Sequence, residues 1–141
     1  MFWRRKSDLT AAKEPKPKGS RPKKEPSMQE RLALEKKKAK RKKAEEVLAE
    51  RCRELAKLHG FPEQKIRLGN MRTRWGSRSS NNTISLNIGL VGLPQPLIDY
   101  VILHELTHIR HMNHSKAFYS ELAKYDPHYK THQTALRKHR P

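Results

Sequence analysis

Apolar residues recur at helical spacing from Ala44 onward. Ala44, Leu48, Cys52, Leu55 and Leu58 stand at i, i+4, i+8, i+11 and i+14, one face of a helix. Gly60 supplies a stop for it, with Pro62 just beyond. The pattern then changes to alternation. Ile66 and Leu68 alternate, Trp75 sits in a second run, and Ile84, Leu86 and Ile88 alternate after Asn81-Asn82. Paired asparagines tolerate positive φ and suit a hairpin turn, so two or three short antiparallel strands are predicted across 65–88. Pro94 and Pro96 mark the start of a long helix over 95–112. Ile98, Ile102, Leu106 and Ile109 form one of its sides. Leu97, Tyr100, Val101, His104, His108 and His111 form another, which leaves only a sector near Asp99 and Arg110 polar. Such a helix is expected at the centre of the fold, mostly buried. A third helix over 115–125 carries Phe118, Leu122 and Tyr125 on one face and is broken by Asp126-Pro127. A last one over 128–139 presents Tyr129, His132 and Leu136.

The first 43 residues follow no such pattern. They hold 17 Lys/Arg against 5 acids, net +12 of the chain's +18. Prolines and lysines dominate through Pro26, which reads as disorder, because there is almost nothing to bury. From Met28 to Lys43 the residues are good helix formers, but Lys36-Lys37-Lys38-Ala39-Lys40-Arg41-Lys42-Lys43 has no apolar stripe. The division expected is a basic, disordered or helical extension over 1–43 and a folded domain over 44–141.

Composition narrows the class. A chain of 141 residues allows one domain and little more. No apolar run approaches the ~18 residues of a membrane span. The N-terminus lacks the apolar stretch of a secretory signal. The single cysteine, Cys52, supports neither an internal disulfide nor a cysteine-built zinc site. The expectation is a strongly basic cytoplasmic protein that does not enter membranes.

Candidate chemistry is concentrated on the central helix. His104-Glu105-Leu106-Thr107-His108 fits H-E-x-x-H. Histidines four apart project from one helical face, so their ring nitrogens can reach one tetrahedral ion at about 2.0–2.1 Å. Glu105 is rotated about 100° from His104 and lies beside such an ion, placed to take a proton from the attacking water. A catalytic zinc wants a third protein ligand. His111 lies on the same stripe, but three ligands along one straight helix line up and cannot surround an ion, so it is read as a supporting or exposed residue. His114 follows six residues after His108, beside the capping residues Asn113 and Ser115, so a turn there returns it toward the first two. Glu121 is the third choice. His128, His132 and His139 read as surface or packing residues, and His59 as a helix-end residue where a cation is favourable.

Arg74-Trp75-Gly76-Ser77, Ile84-Ser85-Leu86-Asn87, Ile98 through His108, Asn113-His114-Ser115 and Phe118 together resemble the YgjP-like metallopeptidases, akin to the SprT-like and WLM zincins. The resemblance covers about 65–137 and leaves the basic first 43 residues outside. It implies an α+β, minigluzincin-like fold with the HExxH helix beside a small sheet, which the alternation above makes antiparallel. It also implies His104, His108 and His114 as zinc ligands and Glu105 as general base. One position departs from the family's R-W-G-S-C-S: Arg78 stands where a cysteine is usual. Trp75 reads either as a cleft residue or as an aromatic anchor between sheet and helix.

The expected function is zinc-dependent hydrolysis of protein or peptide substrates, with an extended peptide pairing along a strand edge near Ile84–Ile88. The alternative is a nucleic-acid-binding protein with a structural or vestigial zinc site. In that case the lysine and arginine runs of 1–43 would supply non-specific phosphate affinity.

Overall fold

The computed structural model describes residues 19, 22–79 and 81–141. The elements in chain order are α1 (Met28–Leu58), β1 (Lys65–Gly69), β2 (Gly76–Ser79), β3 (Thr83–Asn87), a short 3-10 helix (Ile88–Gly92), α2 (Gln95–Thr107), α3 (Lys116–Tyr125) and α4 (Tyr129–Leu136). No helix among the described residues is long and apolar enough to cross a membrane.

Helix α1 begins well before the apolar stripe. Ser27 caps it, accepting from the Glu30 backbone while the Glu30 carboxylate accepts from the Ser27 backbone N–H. Good local propensity and this capping box carry the helix through the lysine run. The expected boundary at 43/44 therefore falls inside one continuous helix. Every described residue from 22 to 43 is exposed, and burial begins at Ala44. Leu48, Cys52 and Leu55 pack into the core, whereas Leu58 turns outward at 73% exposure. The stop is at Gly60, with φ 72°. The Phe61 N–H donates to the Ala56 carbonyl and the Gly60 N–H to Lys57, the paired bonds of a Schellman cap. The expected proline-rich disorder falls mostly on residues outside those described.

The sheet order is β1-β3-β2. β2 and β3 form the expected antiparallel hairpin, with Asn82 at φ 54° in its turn. β1, however, pairs with β3 in parallel, Ile66 opposite Ile84 and Leu68 opposite Leu86. The small sheet is thus mixed, not antiparallel throughout. Alternation reports which face a residue takes, not which way its partner strand runs. β3 is the central strand, with Ile84 and Leu86 fully buried. Its alternation ends at Asn87, and Ile88 lies in the 3-10 helix instead.

Helix α2 is central, as its pattern predicts. It packs against α1, α3, α4, β2 and β3. Asp99, on its polar sector, ties it to α1 through two bonds from Arg51, at 2.9 and 2.8 Å. The helix is shorter than the 95–112 expected: it ends at Thr107, with His108 as its C-cap. No glycine or proline marks this end. The chain turns over through i→i−3 bonds from Ile109 to Leu106 and from Arg110 to Thr107. Ser115 then caps α3, accepting from the Phe118 backbone. Phe118 and Leu122 bury one face of α3, and α4 closes over α2.

Candidate metal and catalytic centre

The early end of α2 determines the site. His104 lies in the last turn of the helix, His108 at its cap, and His114 returns after the turn. The three Nε2 atoms stand 3.1–3.2 Å apart in every pairing. Among the described residues, they form the cluster able to hold a metal ion. Three imidazole lone pairs pointed at one another repel unless a cation or proton lies between them. A tetrahedral ion about 2.0–2.1 Å from each nitrogen would space them about 3.3 Å apart, so the donor set fits such an ion closely.

Two features orient the rings. The Nδ1–H of His108 donates to the His111 carbonyl at 3.0 Å. A carbonyl only accepts, so the proton is on Nδ1 and the Nε2 lone pair faces the cluster. Phe118 is the common wall: its ring centroid lies 5.0, 4.7 and 5.0 Å from those of His104, His108 and His114. The Nδ1 of His104 is buried without a hydrogen-bond partner. Burial, then the neighbouring His108 and His114, pushes His104 down to about 4, which keeps it neutral and able to donate a lone pair.

Glu105 is buried, 7% exposed. Burial pushes its carboxyl up to about 7, against a smaller opposing effect of Arg74. It lines the same cavity as the three histidines, a cleft of about 330 Å³ that also takes in Arg74, Gly76 and Arg78. Gly76 makes room for it: a Cβ there would stand 3.0 Å from Glu105 Cγ.

The chain is matched over residues 4–139 by the YgjP-like metallopeptidase domain. The chain belongs to this family. The match makes it a metallopeptidase in kind, with protein or peptide substrates. It also corrects one reading of the sequence, because the YgjP-like span begins at residue 4 and takes in the basic segment. No curated protein matches significantly. Two solved structures share the minigluzincin-type fold. The metallopeptidase zymogen abylysin of Pyrococcus abyssi has 21% identity and a TM-score of 0.57, covering 64% of this chain and 93% of its own. The zymogen jannalysin of Methanocaldococcus jannaschii has 24% identity and a TM-score of 0.58, covering 64% and 94%.

The remaining candidates fall elsewhere. Glu121 does not face the histidine cluster. It accepts from Arg110 Nη1 and the Tyr125 hydroxyl, both at 2.7 Å, and pairs with His111. Burial raises its pKa, but the bonds from Arg110, Tyr125 and His111 outweigh that and hold it at about 2. His111 thus supports the site through its carbonyl and α3 through its ring. His132 pairs with Asp126 at 2.6 Å, while His128 and His139 are exposed. His59 caps α1, but it packs on Tyr125 and burial lowers its pKa, so the expected cation is disfavoured there. Trp75 is half-buried against the core and borders a second cavity with Tyr100 and Leu136, so it is both anchor and wall.

Three positions around the site are not singled out by the sequence pattern. Arg74, Gly76 and Asn87 stand in the sequence only as parts of motif stretches, and neither an arginine nor a glycine signals closeness to a carboxylate. Asn87, buried at the end of β3, donates to the carbonyls of Met71 and Arg74 at 2.7 and 2.9 Å and holds the loop before β2. A polar residue closing an apolar alternation was the available signal.

Proposed function

We propose that this chain is a zinc-dependent endopeptidase in which His104, His108 and His114 hold the metal and Glu105 is the general base. The observation that carries the reading is the convergence of three Nε2 atoms, 3.1–3.2 Å apart, on a cleft shared with a buried carboxylate. Zinc, when bound, supplies a Lewis acid for the scissile carbonyl and makes water a better nucleophile near neutral pH. Glu105 accepts the proton of the attacking water and returns it to the leaving amine. Its basicity, raised toward neutrality by burial, suits both transfers.

Substrate is held along β2. β3 has partners on both sides, so the edge near Ile84–Ile88 suggested by sequence is taken. β2 is an edge strand whose Gly76, Ser77 and Arg78 line the cleft. Its unpaired main-chain groups can bind an extended peptide with little sequence choice. The test is metal analysis of the purified chain together with digestion of an unstructured protein, with and without chelator. One zinc per chain and chelator-sensitive cleavage that Glu105→Gln removes are expected. Cleavage that persists in Glu105→Gln would sink the assignment of the base.

A second property rests on α1. Its first half carries cations around the whole circumference from Lys36 to Lys43 and is exposed throughout. A surface of this kind suits the phosphates of nucleic acid without base readout. Binding to DNA and RNA that weakens steeply with salt, and disappears with residues 1–43, is the expected result. Affinity unchanged by that deletion would refute it.

A further inference from the structure

The cleft beside the histidines is cationic. Of the charged groups lining it, Arg74 and Arg78 carry the positive charge and Glu105 is the carboxylate. Among the described residues, neither guanidinium forms a direct ion pair, and Arg74, which is exposed, acts on the Glu105 carboxyl only from farther off. Arg78 is held in place all the same. Its Nη1 donates to the His108 carbonyl at 3.3 Å and its Nη2 to Asn82 Oδ1 at 3.4 Å, both neutral acceptors, while its Nε is buried without a partner.

Strand geometry explains the direction. Gly76 and Arg78 are two apart on β2 and share a face. Gly76 faces Glu105, so Arg78 extends across the same side toward the turn at His108. A guanidinium half-removed from water, fixed by neutral contacts and lacking a counter-charge, gains most from a carboxylate supplied from outside. Because it is already positioned, little ordering is lost when that carboxylate arrives. A peptide lying along β2 passes both arginines.

From this juxtaposition we infer that Arg74 and Arg78 are specificity-determining residues, selecting substrates with an acidic side chain close to the scissile bond. The inference rests on the peptidase reading above. The ligand is an internal Asp or Glu side chain in an extended peptide.

The test uses peptides capped at both ends, which removes the terminal carboxylate as an alternative ligand. Glu replaces Gln at each position flanking a single cleavage site. Hydrolysis by the zinc-loaded full chain gives the Glu-to-Gln ratio of kcat/KM. Fluorescence anisotropy with the full-length Glu105→Gln variant gives the ratio of affinities without turnover. At one or more positions, Glu is expected to be favoured about tenfold at low salt in both measurements, declining as salt rises. Arg78→Ser and Arg74→Ser each move the ratio toward one, and Arg78→Glu turns the preference toward Lys. Equal binding of Glu and Gln peptides at every position overturns the inference. So does an Arg78→Ser variant that loses activity equally on both peptides with the ratio intact, because Arg78 would then be a positioning residue for the His108 turn. Acid-selective binding without any hydrolysis by the zinc-loaded chain sinks the peptidase reading and leaves the selection standing.

Discussion

Gly76 on β2 stands against Glu105 on α2 so closely that a Cβ would lie 3.0 Å from the Glu105 Cγ and 3.1 Å from its Oε1. The strand and the carboxylate share space that only a hydrogen side chain leaves free. Gly76→Ala is expected to displace Glu105 by a few tenths of an ångström and lower kcat/KM by about tenfold or more, since a small misplacement of a reacting group is costly. Metal content should stay at the wild-type level, which separates a displaced base from a broken site. Unaltered kinetics in the Ala variant would mean that Glu105 is not held by this contact.

With the metal held by His104, His108 and His114 as proposed, losing one histidine of the cluster is expected to remove it. His114→Ala leaves two nitrogens on one stretch of chain, which cannot surround an ion. Zinc content by atomic absorption is expected to fall to background, and the zinc-dependent rise in melting temperature should disappear. Glu121→Gln provides the contrast. It keeps its zinc but loses stability by about 1–2 kcal/mol, as the bonds from Arg110, Tyr125 and His111 weaken. Zinc loss in Glu121→Gln would reinstate that residue as a ligand.

Glu105→Gln retains size and hydrogen-bonding capacity while removing basicity. Hydrolysis is expected to fall at least ~10²-fold with zinc content normal. The metal-free protein offers a second readout. Burial holds the folded-state pKa of Glu105 at about 7, above its ordinary 4.5. Between these values the folded state keeps a proton that the unfolded state has released. Stability therefore falls as pH rises through this window. Wild type and Glu105→Gln should be similar below about pH 4.5 and diverge toward pH 7, the variant becoming the more stable. Parallel melting curves across that range would show that Glu105 is not desolvated.

Acid should act through Glu121 in the opposite sense. Its folded-state pKa, about 2, lies below the ordinary 4.5. The stabilisation is complete above about pH 4.5 and is lost as pH falls toward 2. Denaturant titrations across this interval should show a shallower acid-side loss for Glu121→Gln than for wild type. Identical slopes would remove Glu121 from the acid response.

Deleting residues 1–43 should leave a cooperative melt, because no described residue from 22 to 43 is buried and the core contacts of α1 start farther along. The cost is the Ser27 capping box and some helix propensity, on the order of 1 kcal/mol. Leu48→Ala in the full chain is expected to cost more, about 2–4 kcal/mol, since Leu48 is fully enclosed. A truncated chain that loses its cooperative transition would show that the basic segment belongs to the folding unit.

Local pattern alone located the apolar stripe of α1 from Leu48 to Leu55, the Asn81-Asn82 turn, the buried central helix, and the cap and apolar face of α3. Each depends on neighbours within a few residues. The His104-Glu105-x-x-His108 spacing was equally legible, because helical geometry sets it. Only the tertiary structure decided that β1 runs parallel to β3, since strand direction depends on a crossover between distant segments. It also decided where α2 ends, because no glycine or proline stops the helix after Thr107. That end brings His114 within 3.1 Å of both His104 and His108 and leaves Glu121 to Arg110 and Tyr125. The closeness of Gly76 to Glu105 and the reach of Arg78 to the His108 turn arise between a strand and a helix separated by some thirty residues. A sequence records periodicity along one element, whereas the distance between side chains on two elements exists only once they are packed together.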